Sequence, residues 1–230
     1  MNLKTLSQIF TYKLMVLGLS VGLAAPAIAA DFHATSALAN QGNALAQFNL
    51  GVMYDEGNGV AQDTAKAFKW YQKAAEQGNA SAQFNIGWMY EHADGVNQDS
   101  VKAVEWYRKA ADQDYGDAQY NLGWMYHNGR GVRQDYDQAM DWYLKAAYQG
   151  DAGAQNNIGD MYEKGAGVRK DDVKAAIWYL KAANQGYALA QNSLGLMYEE
   201  GRGVLKDKKQ SRDWYSKACD NGDKPSCDEL

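Results

Sequence analysis

The side chains most able to do chemistry are few. His92 and His127 fall in neighbouring segments of a repeating chain, with Glu91 beside the first. Imidazole nitrogens and carboxylate oxygens are zinc ligands, so these groups could share an ion if the fold joined them. Two imidazoles without a clear third ligand are too few, and no metal is expected. The chain has only 2 cysteines, Cys219 and Cys227, close together near the C-terminus. An even count in an exported chain can form a disulfide. No HExxH, P-loop, GxGxxG or GxSxG phrase occurs. Catalytic residues and cofactors are therefore expected to be absent.

The chain start bears on compartment. Lys4 and Lys13 give a basic beginning, Leu14 to Ala25 is apolar and uncharged, and Ala27-Ile28-Ala29-Ala30 offers small residues to a peptidase. This pattern predicts a signal peptide over residues 1–30, too short for a permanent span of about 20 residues. No cysteine lies near the cut to carry a lipid. Export to a bacterial periplasm is expected, with full secretion an alternative. The end, Cys227-Asp228-Glu229-Leu230, lacks the lysine of a KDEL retention signal. Removing Lys4 and Lys13 from 23 basic residues leaves 21 against 28 acidic ones, a net charge of −7. Nucleic acid and anionic lipid need a cationic footprint, so neither is an expected partner, and no stable membrane insertion is expected after cleavage.

Positioning falls to a unit repeated five times with a 36-residue step. Gly51-Val52-Met53-Tyr54 returns as Gly87-Trp88-Met89-Tyr90, Gly123-Trp124-Met125-Tyr126, Gly159-Asp160-Met161-Tyr162 and Gly195-Leu196-Met197-Tyr198. Trp70-Tyr71 returns as Trp106-Tyr107, Trp142-Tyr143, Trp178-Tyr179 and Trp214-Tyr215. Such a period marks stacked repeats, which build binding surfaces more often than reaction centres. Ala46, Leu50, Met53 and Tyr54 form one stripe at helical spacing, so the first half of a unit is a helix. Gly51 and its copies lie inside it. A glycine there costs about 1 kcal/mol relative to alanine, which implies close approach by another helix. Gly57-Asn58-Gly59 and its copies stop this helix. Ala93-Asp94-Gly95 breaks the pattern, so a different turn is expected in the second unit. Asp63, Asp99, Asp135, Asp171 and Asp207 are expected N-caps of a second helix. Ala67, Trp70 and Ala74 should face the first helix, with Tyr71 and Ala75 widening the stripe. Lys73 and its copies should favour the helix end through its dipole.

The units are placed at 42–77, 78–113, 114–149, 150–185 and 186–221. Residues 31–41 form an N-terminal capping segment and residues 222–230 a truncated C-terminal cap. The fold class is all-α, a solenoid of five helix-turn-helix repeats.

The phrase A-x-x-N-L-G-x-M-Y-x-x-G-x-G-V-x-x-D-x-x-K-A-x-x-W-Y-x-K-A-A resembles the Sel-one-like repeat family, a relative of the tetratricopeptide repeats. The resemblance covers Gly42 to Cys227. It implies a right-handed superhelix of helix pairs that serves as an adaptor for a protein or peptide. A cysteine-rich secreted subgroup pairs a Cys ending one second helix with a Cys in the next first helix. Cys219 and Cys227 occupy those places, whereas other units carry pairs such as Ala75 with Gln83 and Ala183 with Gln191. The resemblance thus implies one disulfide, Cys219 to Cys227. Some relatives in that subgroup are described as penicillin-binding or β-lactamase proteins, so a β-lactamase-like or peptidoglycan-associated protein is the alternative function. No Ser is followed three residues later by Lys, so the S-x-x-K signature of those enzymes is missing.

In tetratricopeptide repeats the first helices line the inner groove. By that likeness Phe48, Phe84, Tyr120 and Asn156 share one groove position, and Val52, Trp88, Trp124 and Asp160 another. The aromatics would anchor a partner or pack between units; both remain open at this point. Asp55, Glu56, Glu91, Glu163, Glu199 and Glu200 would make an acidic rim, suited to a basic partner with apolar anchors.

Overall fold

A computed structural model describes residues 25–229, which form helices and no strand. Helix α1 spans Ala25–Asn40. The first helices of the five units are α2 (Ala44–Glu56), α4 (Ala80–His92), α6 (Gly116–Asn128), α8 (Ala152–Lys164) and α10 (Ala188–Glu200). The second helices are α3 (Thr64–Glu76), α5 (Ser100–Ala111), α7 (Tyr136–Tyr148), α9 (Asp172–Asn184) and α11 (Lys208–Asp220), and a short α12 covers Lys224–Cys227. Each helix packs on the next in chain order, the arrangement of an α/α solenoid. Most of the expected signal peptide lies outside the described residues. Its last six residues and residues 31–40 of the expected capping segment belong to α1. That helix takes the place of a second helix: Phe32 meets Tyr54 at 5.9 Å edge to face, as Phe68 meets Tyr90 at 5.5 Å.

Local chemistry fixes the helix ends. Asp63, Asp99, Asp135, Asp171 and Asp207 each accept a hydrogen bond from a backbone N–H in the first turn of a second helix. Asn43, Asn79 and Asp151 do the same for first helices. Gly57, Gly129, Gly165 and Gly201 end the first helices in the left-handed conformation. Ala93 does so too, at φ 60°. The turn of the second unit is therefore the same as the others, contrary to expectation, and alanine bears a steric cost there that glycine avoids.

The mid-helix glycines are explained by one contact. A Cβ on Gly51, Gly87, Gly123, Gly159 or Gly195 would lie 2.6–2.7 Å from Cδ1 of Tyr71, Tyr107, Tyr143, Tyr179 or Tyr215. The Cδ1–Cε1 side of the tyrosine ring of the second helix lies against the backbone of the first. These tyrosines, at 0–4% exposure, are the centre of each unit. The expected order of the Trp-Tyr pair is thus reversed. Trp142 and Trp214 are buried, but Trp70, Trp106 and Trp178 are only partly so. Each tryptophan carries the ammonium of the lysine three residues on, 3.8–4.0 Å above its ring. That cation–π contact keeps one ring edge near water.

A polar column runs through the core. Gln47, Gln83, Gln119, Gln155 and Gln191 are buried. Each donates through Nε2 to a carbonyl of the preceding helix, at Ala39, Ala75, Ala111, Ala147 or Ala183. Each accepts at Oε1 from Gln77, Gln113, Gln149, Gln185 or Asn221. Satisfied in this way, the buried amides fix register without an orphaned group. Cys219 and Cys227 are joined, with Cα atoms 5.0 Å apart. They stand where Ala183 and Gln191 stand one unit earlier, so a covalent link replaces the glutamine bond at the last turn.

Candidate functional site

The expected groove residues lie along the first helices, and none is fully buried. Phe48, Phe84 and Tyr120 lean on the central tyrosines Tyr71, Tyr107 and Tyr143, with ring centroids 5.8, 5.6 and 6.0 Å apart. Phe84 also meets Tyr115 at 5.3 Å. Trp88 packs against the cores of the first two units and the next, and stacks on His92 at 4.4 Å. Trp124 touches two cores likewise and lies 5.7 Å from the guanidinium of Arg130. Val52 packs on the first of these cores. The aromatics therefore do both things the sequence left open: one part of each ring packs between units and another part remains at the surface.

In the fourth unit the row turns polar. Asp160 pairs with Lys164 at 2.7 Å, and Asn156 bonds Asn157 at 3.5 Å. Beside it, burial pushes the phenol of Tyr120 up to about 12, with Tyr187 and Asp151 close by. Burial also raises the carboxyl pKa of Asp151, with Asp117 adding to it.

The acidic rim needs correction. Glu91 is buried, accepts the Tyr107 hydroxyl at 2.8 Å, and faces Arg130 at 3.7 Å. Glu163 accepts the Tyr179 hydroxyl at 2.6 Å and pairs with Arg202 at 2.6 Å. Asp55 and Glu199 accept the Tyr71 and Tyr215 hydroxyls at 3.5 and 3.1 Å. These acids lie sixteen residues before a central tyrosine and accept its hydroxyl; Glu91 is buried, Asp55 and Glu163 are half-buried, and Glu199 stays exposed at the rim. Glu200 is exposed but pairs with Arg202, and Glu56 is exposed. In the third unit His127 takes the acid's place, 6.2 Å from the Tyr143 ring. Burial lowers its pKa. His92 instead accepts or donates at Nδ1 with the Trp88 carbonyl, 2.9 Å away. The two histidines thus serve different local contacts. Among the described residues no three His, Cys, Asp or Glu side chains gather where they could hold a metal.

The Sel1 repeat model matches five successive segments, residues 44–79, 80–115, 116–151, 152–187 and 188–223. The chain belongs to the Sel1 repeat family. The matched frame begins two residues later than the units set out from the sequence, at the N-terminus of each first helix. Sel1 repeat proteins are generally protein-interaction scaffolds. Among solved structures, the chain is similar to a protective antigen of uropathogenic Escherichia coli with an SLR fold. The identity is 41% and the TM-score 0.81, over 84% of this chain and 41% of that one. It is also similar to a Sel1 repeat protein from Oxalobacter formigenes, at 39% identity and TM-score 0.78, over 81% of this chain and 74% of that one. An immunity protein of Pseudomonas aeruginosa shares the fold, at 22% identity and TM-score 0.53, over 93% of this chain and 81% of that one. The chain spans less than half the length of the Escherichia coli antigen. No curated protein matches it.

What the sequence did not reveal as functional is the sharing of polar groups between units. Its signal is the thirty-residue interval between paired amides, such as Gln47 with Gln77 and Gln83 with Gln113. A row of part-buried rings on rigid helices supplies contact area rather than a nucleophile with its base.

Proposed function

We propose that this Sel1 repeat protein is a non-catalytic periplasmic adaptor. It holds an extended segment of a partner protein along the first helices of its first three units. One observation carries this reading. The core positions repeat almost unchanged, while the surface row changes from Phe48, Phe84, Trp88, Tyr120 and Trp124 to Asn156 and Asp160. A purely structural row would repeat like the core; a row that varies by unit can distinguish one partner from another. Rings held by packing on one side and wet on the other lose little entropy on binding, which suits them as anchors. The partner's anchors are apolar. A strongly basic partner is not supported, because Glu91 and Glu163 are already paired with Arg130 and Arg202.

The test replaces Trp88 and Trp124 by leucine, the residue that the fifth unit itself carries at Leu196. Circular dichroism should remain helical with a cooperative melt. Capture of the envelope partner, identified by mass spectrometry with the wild-type protein, should fall by about tenfold or more. Undiminished capture by the folded double variant removes this row as the site.

A further inference from the structure

The second-helix layer carries a different surface, on α9. Val173, Ile177 and Leu180 recur at helical spacing on its solvent side and are 56%, 51% and 40% exposed. The other four units place a charge where Ile177 stands: Lys69, Glu105, Asp141 and Asp213. Leu205, 90% exposed, lies in the loop leading to α11. The turn of that loop rests on the start of α9, since a Cβ on Gly203 would lie 2.1 Å from the Asp172 carbonyl oxygen. On the other flank Tyr148 is 77% exposed and stands edge to face with Trp178, 6.4 Å away. A core at this junction needs none of these exposures.

On α9 and α11 the charges around the stripe are mainly basic, while α7 on the other flank presents Asp137 and Asp141. Lys174 and Lys181 are exposed on α9 itself. Trp214 packs into the core formed by α9, so α11 lies alongside, with Lys209 and Arg212 exposed. Residues 165–217 hold ten basic against six acidic side chains, in a chain of net charge −5. Asp171 caps α9 and also meets Lys174 at 3.8 Å, Asp207 caps α11, Asp172 faces Lys170, Glu199 accepts Tyr215, Glu200 pairs with Arg202, and the sixth acid, Asp213, is exposed on α11.

We propose that this face docks on the surface of an anionic phospholipid bilayer, with the α9 stripe entering the headgroup layer and the lysines and arginine over lipid phosphates. Apolar residues beside lysines, with a tyrosine–tryptophan pair at the edge, match the layered polarity of that interface. Protruding side chains suit a fluid surface, which needs no shaped partner. A second copy is disfavoured because a two-fold contact through the stripe would bring the two lysine rows together. The acidic remainder of the chain does not cancel the attraction, because charges beyond about 8–10 Å are screened at physiological salt. The contact is peripheral: no described helix is long and apolar enough to cross a membrane.

The experiment uses Ile177→Asp with Leu180→Ser, which gives α9 the residues of Asp213 and Ser216 in α11, so the scaffold already accommodates them. Mature protein purified from an expressing bacterium is sedimented with vesicles of phosphatidylglycerol plus phosphatidylcholine, or of phosphatidylcholine alone. Wild-type protein is expected to pellet with the anionic vesicles, less so in high salt, and not with the neutral ones. The variant, helical by circular dichroism, should partition about tenfold less or weaker still. The proposal is overturned if wild-type protein stays in the supernatant with anionic vesicles, or if the variant pellets equally. It is also overturned if lipid-free wild-type protein is a dimer that the variant dissolves, or if polyglutamate binds the face and vesicles do not. Loss of vesicle binding with partner capture intact separates this face from the first-helix row.

Discussion

Gly123→Ala tests the packing argument because two effects of opposite sign meet at one atom. Alanine is the better helix former by about 1 kcal/mol, so propensity alone makes the variant more stable. The new Cβ would sit 2.7 Å from Cδ1 and 2.9 Å from Cε1 of Tyr143. Carbon atoms prefer about 3.5–4.0 Å, so the ring or the helix must retreat by roughly 0.8–1.3 Å. Tyr143 is 1% exposed and has no open space to retreat into. Overpacking of this kind costs about 1–3 kcal/mol, and the short contact places it toward the upper end. The net effect is a loss of about 1–2 kcal/mol, or a melting point lower by about 2–8 °C. Thermal and urea unfolding followed by circular dichroism would measure it. A control adds the same change to a Tyr143→Ala background. There the obstacle is gone, and the alanine should become stabilising. A rise in melting temperature for Gly123→Ala in the otherwise native chain would refute the reasoning.

Three further outcomes are expected. Ala93→Gly should stabilise the second unit by about 1 kcal/mol, seen as a higher urea midpoint, because glycine adopts φ 60° without the clash that alanine suffers. Cys219→Ala with Cys227→Gln should restore the hydrogen-bonded pair of the other units but lose about 2–3 kcal/mol of loop constraint, read as faster amide exchange in α12; unreduced, denatured native protein should show no reactive thiol. Glu163 is opposed by burial, but the Tyr179 hydroxyl and Arg202 outweigh it and hold its carboxyl below the ordinary glutamate value of 4.5. Its contribution to stability is therefore complete above that value and is lost as pH falls through the lower folded one. Urea midpoints of native and Glu163→Gln protein should differ at about pH 6 and converge toward about pH 3.

The period and the capping aspartates were enough to place both helices of every unit, because each rests on local sequence alone. The mid-helix glycine also announced a close contact before its partner was known. The Trp-Tyr pair was misjudged because adjacent helical residues point about 100° apart, and either could face inward. Lys73, three residues after Trp70, was the missed clue: a ring under an ammonium must keep one side near water. Constancy misled as well. An acid present in four of five units was taken for a surface rim, whereas a polar residue that repeats with the core usually belongs to it, as Gln47 and its copies do. Net charge is a coarse guide, since an average over the whole chain does not show that residues 165–217 hold ten basic against six acidic side chains.

The arginines reach backward unevenly. Arg130, in the third unit, grips Glu91 in the second, and Arg202, in the fifth, grips Glu163 in the fourth. At the matching place the second unit has Asp94 and the fourth has Ala166, neither of which can offer a guanidinium. Clasps therefore close the second and fourth junctions of the array and skip the first and the third. A spring fastened at alternate coils yields at the unfastened ones. Pulled or bent, this molecule should give first where no guanidinium reaches back, leaving units two and three, and units four and five, as the firmer pairs.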